Sequence, residues 1–377
     1  MISLFLTAGL TVLAVAAESP SRSSWSCAYV QARLPLALGL LGEDTVSAEE
    51  TRAARQRLSL PDGILSRASS LALSRSLGAT RLVVLRCLPQ GDVIILEAQS
   101  FEVDRPISGD VVRVTRPHLE ISTAIDQIAE RLTPRASAGG SSILRTPSQQ
   151  ALSKAGPSLA SADMNERARG LALALREDPG AIDLRLSLVE ALLSARDFQA
   201  AIDTVEAAPA LGIPEMLTRA LGFHKGGAQL EAGRYAEARE TFETLRATRE
   251  TAAVLNNLGV ARFRLRDSEA SRLFERASFL ADPRQNDISF NRCFALIFEG
   301  NAAEALPFLD SMLVAAPSDV RTRLLRVWAL AVLKREADRD SEWEHLKTLA
   351  PSYSSLGTPD LARRLERIFF SERNPEP

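Results

Sequence analysis

The chain has 377 residues, of which 46% are hydrophobic and 24% are charged, and this composition excludes an intrinsically disordered protein. Lys and Arg number 45 against 47 Asp and Glu, so the net charge of -2 excludes binding of nucleic acid or acidic membrane through overall charge. Only three His and three Cys occur, far apart and without a Cys-x-x-Cys pair, which argues against a metal site.

The chain begins with MISLFLTAGLTVLAVAA, an uncharged and almost wholly apolar segment. A membrane-spanning helix needs about 20 apolar residues, so the segment is short for a stable span. Its small residues are typical of a secretory signal peptide. We therefore predict a leader over residues 1–17, cleaved near Ala16 or Ala17, and a periplasmic or secreted mature chain. The alternatives are a buried apolar helix, an uncleaved anchor, or a cytoplasmic protein with an intact N-terminus.

Residues 18–133 predict a small α+β domain. A capping box at Ser47 to Glu50 opens one helix, and Gly78 is placed to end a second. Runs of β-branched residues around a Pro-Gln-Gly-Asp turn predict a hairpin. In chain order, the expected elements are helices at 47–58 and 66–78, strands at 81–86, 93–103 and 110–114, and a helix at 119–132.

The stretch from Ser47 to Leu132 resembles the N-terminal domain found beside TolB-type and other bacterial envelope proteins. The resemblance rests on a helix followed by the run LGATRLVVL, and on a hairpin with a short Gly-Asp turn at Gly91. The chain departs from that family between Cys27 and Leu41, where an apolar run containing Pro35 replaces the usual first strand. The resemblance implies a docking module without catalytic chemistry.

The three cysteines, Cys27, Cys87 and Cys293, are odd in number and lack the spacing of a disulfide framework. Cys87 and Cys293 lie in apolar stretches, so we predict a buried thiol at each position. Cys27 follows Ser-Ser-Trp-Ser rather than an apolar lipobox, which argues against a lipid anchor at this residue.

Small and helix-breaking residues are frequent over residues 134–162. The run from Pro134 to Ser142 and the run from Lys154 to Ser158 both combine Gly, Ser, Ala and Pro. This composition predicts a flexible linker, so that the domains on either side would hold no fixed orientation to each other.

Self-similarity marks residues 163–351. Small residues recur at a period near 34 residues, at Ala201, Ala238, Ala270 and Ala305. Prolines that would end successive units follow the same period, and Pro283 and Pro317 are 34 residues apart. This period indicates a helical repeat, in which each unit buries its apolar face only against its neighbours.

The repeats resemble the tetratricopeptide repeat (TPR), whose unit of about 34 residues has two antiparallel helices. Gly259 matches the family's Leu-Gly pair, Gly233 and Gly300 its turn glycine, and Phe242 and Phe274 its second-helix aromatic residue. The resemblance implies an all-α solenoid with a groove for a protein or peptide. The expected units are 182–215, 219–252, 252–285, 286–319 and 320–351, preceded by a helix at 163–178 and followed by a capping helix and tail at 352–377.

In the TPR family, the first helix of each unit lines a concave groove. Carrying the ligand-facing positions over to this chain gives a surface that is aromatic and apolar toward its C-terminal half. The groove residues identified in this way are Phe223, Asn256, Val260, Phe290, Phe294 and Trp328. The alternative is that the capping helix covers Phe290, Phe294 and Trp328, which would make them core residues.

No motif for catalysis or for a cofactor is present. The sequence lacks G-x-S-x-G, H-E-x-x-H, Walker-type and G-x-G-x-x-G patterns, so neither an enzyme nor a cofactor is predicted. Five arginines between Arg262 and Arg276 form a local basic cluster, which we interpret as solvated helix faces rather than a phosphate site.

The sequence therefore predicts an α+β domain followed by a TPR solenoid. It favours a non-catalytic scaffold of the bacterial envelope that binds a protein or peptide and not nucleic acid. A self-associating assembly factor is the alternative.

Overall fold

The computed structural model places the chain in two compact units, residues 1–234 and 235–377. The residues that it describes are 11–16, 25–41, 45–46, 51, 54–55, 58, 60, 67–77, 79–103, 108–133, 145–159, 161, 163–208, 213–281 and 286–351. The predicted capping helix and tail at 352–377 and most of the predicted helix at 47–58 lie outside these ranges. Within them, every helix is too short or too polar to cross a membrane.

A four-stranded sheet opens the first unit. Its strands are β1 (Thr11–Ala16), β2 (Arg81–Gln90), β3 (Val93–Glu102) and β4 (Ser108–Pro117). They lie in the order β1-β2-β3-β4, with β1 parallel to β2 and the other pairs antiparallel. The predicted hairpin and third strand are confirmed, and the tight turn between β2 and β3 places Gly91 at a φ of 55°.

Strand β1 lies inside the segment predicted as a leader. It pairs with β2 over six residues, from Thr11 beside Arg81 to Ala16 beside Arg86. In the full chain this segment therefore forms one border of the sheet. Cleavage of the leader stays a prediction.

Helices cover both faces of the sheet. They are α1 (Trp25–Leu40), α2 (Arg67–Ser76) and α3 (Ile121–Leu132), the last of which follows a short 3-10 turn. α1 and α3 pack together, and their apolar side chains bury Val83, Leu85 and Leu96 on one face. The opposite face buries Leu82 and Val103. This alternation follows from the period of two along a strand.

The apolar run from Cys27 to Leu41 is largely helix α1, which continues through Pro35. Five further helices complete the first unit. They are α4 (Gln149–Leu159), α5 (Met164–Glu177), α6 (Ile182–Ser194), α7 (Phe198–Glu206) and α8 (Glu215–Glu231). Each helix contacts the next, and α6 also contacts α8.

The prediction of a flexible linker is wrong for residues 145–159. Helix α4 packs against both α5 and α1, and it buries Ala151, Leu152 and Ala155. One cluster of buried apolar side chains includes residues of α1, the sheet, α3 and helices α4 to α8. The α+β region and the first repeat helices therefore share a core, and their orientation is fixed.

The small residues that suggested a tether instead allow two helices to approach closely. A Cβ atom on Gly170 of α5 would overlap the side chain of Ser158 on α4. Just before α4, the backbone N–H of Ser148 donates to the Asp178 carboxylate over 2.7 Å. Helices α4 and α5 thus add a helical hairpin ahead of the first predicted unit.

The second unit is an array of helices. They are α9 (Tyr235–Thr248), α10 (Ala252–Arg264), α11 (Ala270–Leu280), α12 (Asn286–Phe298), α13 (Ala302–Ala315), α14 (Val320–Val332) and α15 (Glu336–Leu349). Each helix contacts the next, and α12 contacts both α10 and α14. The predicted hairpins at 252–285, 286–319 and 320–351 are confirmed as α10–α11, α12–α13 and α14–α15.

The residues that matched the repeat pattern lie where the helices meet. Phe242, Phe274 and Trp343, at equivalent positions of the second helices α9, α11 and α15, are all buried. A Cβ atom on Gly259 of α10 would lie 2.8 Å from the ring of Phe274 on α11. Glycine is needed there because any side chain would force the two helices apart.

A recurring turn follows the first helix of each predicted helical repeat. One residue in each turn has a positive φ: Arg196 (61°), Gly233 (75°), Arg266 (59°), Gly300 (87°) and Lys334 (57°). The N–H of this residue bonds to the carbonyl three residues earlier, and the next N–H bonds to the carbonyl five residues before itself. These paired bonds satisfy carbonyls that the helix end would otherwise leave open.

Candidate protein-binding surfaces

The predicted groove residues fall in both units. Phe223 lies on α8 of the first unit, while Asn256 and Val260 lie on α10, Phe290 and Phe294 on α12, and Trp328 on α14 of the second unit. Phe290 and Trp328 are only 6% and 3% exposed, and the other four side chains are partly exposed. The six residues therefore divide into two that offer almost no surface and four that a partner can reach.

The aromatic residues of the second unit pack on one another. The ring centroids of Phe263 and Phe294 are 5.4 Å apart, those of Phe263 and Phe298 are 5.1 Å apart, and those of Phe294 and Trp328 are 5.4 Å apart. The guanidinium of Arg321 lies 4.6 Å from the ring centroid of Phe290. Tilted and edge-to-face contacts at these distances stabilise a core. The aromatic side chains thus join α10, α12 and α14 to one another.

A row of amide side chains lies on the same first helices. Asn256 donates through Nδ2 to Oδ1 of Asn257 over 3.1 Å, and Asn291 on α12 donates to Oδ1 of Asn256 over 2.9 Å. We call Asn256, Asn257 and Asn291 the amide row. All three are partly exposed, as is the neighbouring Val260. Each amide has two donor hydrogens and an acceptor oxygen, so the row has hydrogen-bonding capacity beyond its two internal bonds.

Asn291 was not among the residues predicted from the sequence, although a signal for it was present. It lies 34 residues after Asn257, which is one repeat length, and both are asparagine. The structure brings Asn291 to Asn256, the residue before Asn257, because α10 and α12 are adjacent first helices. Aligning every position of the units, rather than only the ligand-facing ones, would have found the row.

Phe223 has polar neighbours on the first unit. Its ring lies edge-on to that of His224, with the centroids 6.3 Å apart, and His224 Nε2 is 4.0 Å from the Glu190 carboxylate. Lys225 forms an ion pair with Glu206 over 2.7 Å. Charged pairs with this degree of exposure contribute about 1 kcal/mol or less to stability. This surface offers an aromatic ring beside two acidic and two basic side chains.

Arginines of the local basic cluster form ion pairs with nearby acids. Arg262 pairs with Glu243 over 2.7 Å and with Asp267 over 3.3 Å. Arg276 pairs with Glu250 over 3.1 Å. Because Arg262 and Arg276 are paired on the protein itself, the cluster provides less of the field that attracts phosphate. The pairing agrees with the interpretation as solvated helix faces.

A cluster of buried polar side chains joins α1, α3 and α6 in the first unit. Asp183 Oδ2 accepts from the Tyr29 hydroxyl over 2.7 Å and from Arg33 Nη1 over 2.8 Å. The Tyr29 hydroxyl lies 3.2 Å from that of Ser122, and Arg33 Nη2 lies 3.6 Å from Asp126. Arg33 is 0% exposed and Asp183 is 3% exposed. We call these five residues the buried polar cluster.

Two pKa shifts follow from this arrangement. Burial and then the Asp183 carboxylate raise the pKa of the Tyr29 hydroxyl well above its usual value, so Tyr29 stays a donor. Burial lowers the pKa of Arg33, but Tyr29, Asp183 and Asp126 together raise it above its usual value. Arg33 therefore remains charged, and Asp183 neutralises it at hydrogen-bond distance. The cluster is enclosed in the core, so its role is structural.

The prediction of a buried thiol is wrong for Cys87, and the spacing argument against a disulfide is wrong for Cys27 and Cys87. Cys27 on α1 and Cys87 on β2 form a disulfide, with their Cα atoms 5.7 Å apart. Sequence spacing did not indicate it because 60 residues separate the pair. Cys293 is a buried free thiol as predicted, and burial raises its pKa to about 12, so it stays protonated and unreactive.

No group of His, Cys, Asp and Glu within the described ranges could hold a metal ion. Of the predicted groove residues, those that a partner can reach are Asn256, Val260 and Phe294 on one unit and Phe223 on the other. Amides and partly exposed apolar side chains can bind an extended peptide, because they pair with its backbone and cover its side chains.

No protein-family model matches the sequence, and no curated protein matches it either. Among solved structures, the chain is similar to YrrB, a TPR protein with an unusual peptide-binding site, at 18% identity over 53% of this chain and 99% of that one, with a TM-score of 0.40. It is also similar to the Cut9-Hcn1 hetero-tetramer of the APC/C, at 15% identity over 63% of this chain and 44% of that one, with a TM-score of 0.47.

A third similar structure is PilF of Pseudomonas aeruginosa, at 20% identity over 54% of this chain and 89% of that one, with a TM-score of 0.41. The C-terminal domain of LpoB from Salmonella enterica matches 29% of this chain and 83% of its own, at 14% identity and a TM-score of 0.24. All four of these likenesses have TM-scores below 0.5. The evidence for the helical hairpins is therefore the turns and the helix packing observed in this chain.

Proposed function

We propose that the protein is a non-catalytic interaction scaffold of the bacterial envelope, which binds an extended segment of a partner protein on the amide row of α10 and α12. The observation that carries the proposal is this row of partly exposed amides, beside Val260 and Phe294. Amide side chains on adjacent first helices can pair with the N–H and C=O groups of an extended chain.

The disulfide supports a location outside the cytoplasm. Cytoplasmic thiols are kept reduced, whereas disulfides persist in the periplasm and in secreted proteins. The Cys27–Cys87 bond therefore agrees with the leader predicted at residues 1–17. The oxidation state of these cysteines in cells tests the location: reduced Cys27 and Cys87 together with an intact Met1 would overturn the envelope proposal.

Crosslinking and co-purification from the native cell test the binding surface. We expect the double variant Asn256→Ala/Asn291→Ala to lose a partner that the unchanged chain captures, and to keep its helical circular dichroism. Phe294 is unsuitable for this test because it packs against Phe263 and Trp328, so its substitution would change stability as well.

Asn301→Ala is the matched control, because this asparagine is exposed on the same unit and lies outside the amide row. Equal capture by the unchanged chain and the double variant would overturn the assignment of the surface. Recovery of the protein alone, with crosslinks between copies, would favour the self-associating alternative.

A further inference from the structure

Strand β4 forms one border of the sheet, and β2 would form the other if β1 were removed. The two strands differ in how they are protected from pairing with another strand. Border strand β4 carries Arg113, Arg116 and Pro117. In addition, the backbone carbonyl of Arg113 accepts a hydrogen bond from Arg131 over 3.3 Å. Charged residues, proline and occupied backbone groups are the features by which natural proteins keep an edge strand from pairing further.

Strand β2, which would be the other border without β1, also carries Arg81, Arg86 and Pro89, but Pro89 lies beyond the six residues that pair with β1. Between Arg81 and Arg86 it reads Leu-Val-Val-Leu, and Val83 and Leu85 are 0% exposed. An uninterrupted apolar and β-branched run is typical of a strand with both faces buried, and the run itself has none of the charges that keep an edge strand from pairing. In the full chain, β2 pairs with β1 on one side and with β3 on the other.

We propose that export removes β1, and that the border of β2 uncovered in this way is a second docking site, for an extended, uncharged and apolar segment of a partner protein. The proposal rests on the proposed function in one respect, which is that the leader is cleaved outside the cytoplasm. All six residues of β1 lie within the predicted leader, so the cleaved chain has no β1 of its own.

Strand β1 shows which chemistry fits the border. Its sequence, Thr-Val-Leu-Ala-Val-Ala, has no charge and one hydroxyl. The register places Leu13 beside Val83 and Val15 beside Leu85. Because Val83 and Leu85 belong to the core beneath α1 and α3, alternate residues of an added strand border that core and must be apolar. The backbone of the added strand supplies the hydrogen bonds.

The test uses the exported chain, which begins near Glu18, and a labelled peptide of residues 10–17 with lysines added at its ends for solubility. Fluorescence anisotropy should show saturable binding, and the peptide should raise the Tm of the protein. Absence of binding to the cleaved chain would overturn the docking site.

A matched pair of peptides tests the mode of binding. One carries N-methyl groups at Leu13 and Val15, and the other carries them at Val12 and Ala14, so that the composition hardly changes. Since alternate N–H groups of an edge strand point toward its neighbour, one peptide should bind about tenfold more weakly or worse and the other should bind almost normally. Equal effects of the two peptides would overturn strand addition.

N-terminal sequencing of the exported chain separates this proposal from the proposed function. If the exported chain keeps Met1, β1 still covers β2, and the docking site is overturned while the scaffold with its amide row stands. If the cleaved chain dimerises and the peptide dissociates the dimer, the occupant is a second copy and the choice of a different partner is overturned.

Discussion

The two compact units are stabilised by different kinds of contact. In the first unit, the buried polar cluster and the disulfide join segments that are far apart in sequence, since Arg33 and Asp183 are 150 residues apart. In the second unit, aromatic and small residues join helices that are consecutive or one helix apart along the chain. The comparison shows that a repeat array needs only local contacts, whereas attaching a sheet to such an array requires specific long-range chemistry.

The largest expected effect comes from removing the counter-charge of Arg33. Asp183→Ala leaves a fully buried guanidinium without its closest carboxylate, so the free energy of unfolding should fall by about 3–5 kcal/mol. Urea denaturation measures this loss. Hydrogen exchange should place the loss of protection in α1, α3 and α6, with the second unit unaffected.

Asp310→Ala is the control for that variant, because it removes an ion pair with Arg326 in which the Asp310 side chain is 55% exposed. Its effect should be about 1 kcal/mol or less. If the two variants were equally stable, the buried polar cluster would not be what joins the sheet to the repeat helices.

Loss of the disulfide should have the next largest effect. Cys27→Ala/Cys87→Ala should lower the free energy of unfolding by about 2–4 kcal/mol, since the bond closes a long loop between α1 and β2. Reductant should destabilise the unchanged chain by a similar amount and leave the double variant unchanged. Thiol alkylation of the denatured, unreduced protein should modify only Cys293, and three modified cysteines would contradict the bond.

A smaller loss should follow from Gly170→Ala. The new methyl group would overlap Ser158, so α4 and α5 must separate. The free energy of unfolding should fall by about 1–3 kcal/mol. Gly227→Ala on α8 is the control, because nothing lies within 4 Å of the added Cβ, and alanine should there stabilise the helix by up to about 1 kcal/mol. Equal thermal shifts would mean that α4 is not packed against the repeat helices.

The smallest expected effect concerns the recurring turn. Lys334→Gly should raise the free energy of unfolding by about 1 kcal/mol or less, because lysine at a φ of 57° is strained and glycine is not. Gly300→Ala, at the equivalent position with a φ of 87°, should lower it by a similar amount. The same sign for both changes would show that the turns are not equivalent.

Features that repeat along the chain were predictable. The hairpins of the second unit follow from the period of small residues, and Phe242 and Phe274 lie buried where the pattern placed them. One repeated feature was overlooked. Arg185 donates to the carbonyl of Pro179, and Arg323 donates to that of Pro317, so both arginines bond to a proline six residues earlier. The shared spacing is visible in the sequence, but its purpose is visible only once the helices are packed.

Contacts that occur once were not predictable. Nothing near Tyr29 or Arg33 in the sequence indicates Asp183, because the pairing depends on how α1 lies against α6. Helix α4 was mistaken for a linker because Gly156 and Pro157 are helix breakers in isolation, whereas tertiary packing stabilises the helix here. Likewise, the groove positions of the family did not show that Phe290 and Trp328 are buried.

The distance between Arg33 and Asp183 also has a consequence for biogenesis. A polypeptide that is synthesised or translocated from its N-terminus presents α1 long before α6. Until Asp183 has emerged, Arg33 has no acidic partner on α6 and cannot be buried at low free energy. We therefore expect the sheet region to complete its folding only after about half of the chain has appeared, so that the nascent N-terminal half stays open to chaperones and translocation machinery for longer than its size alone would suggest.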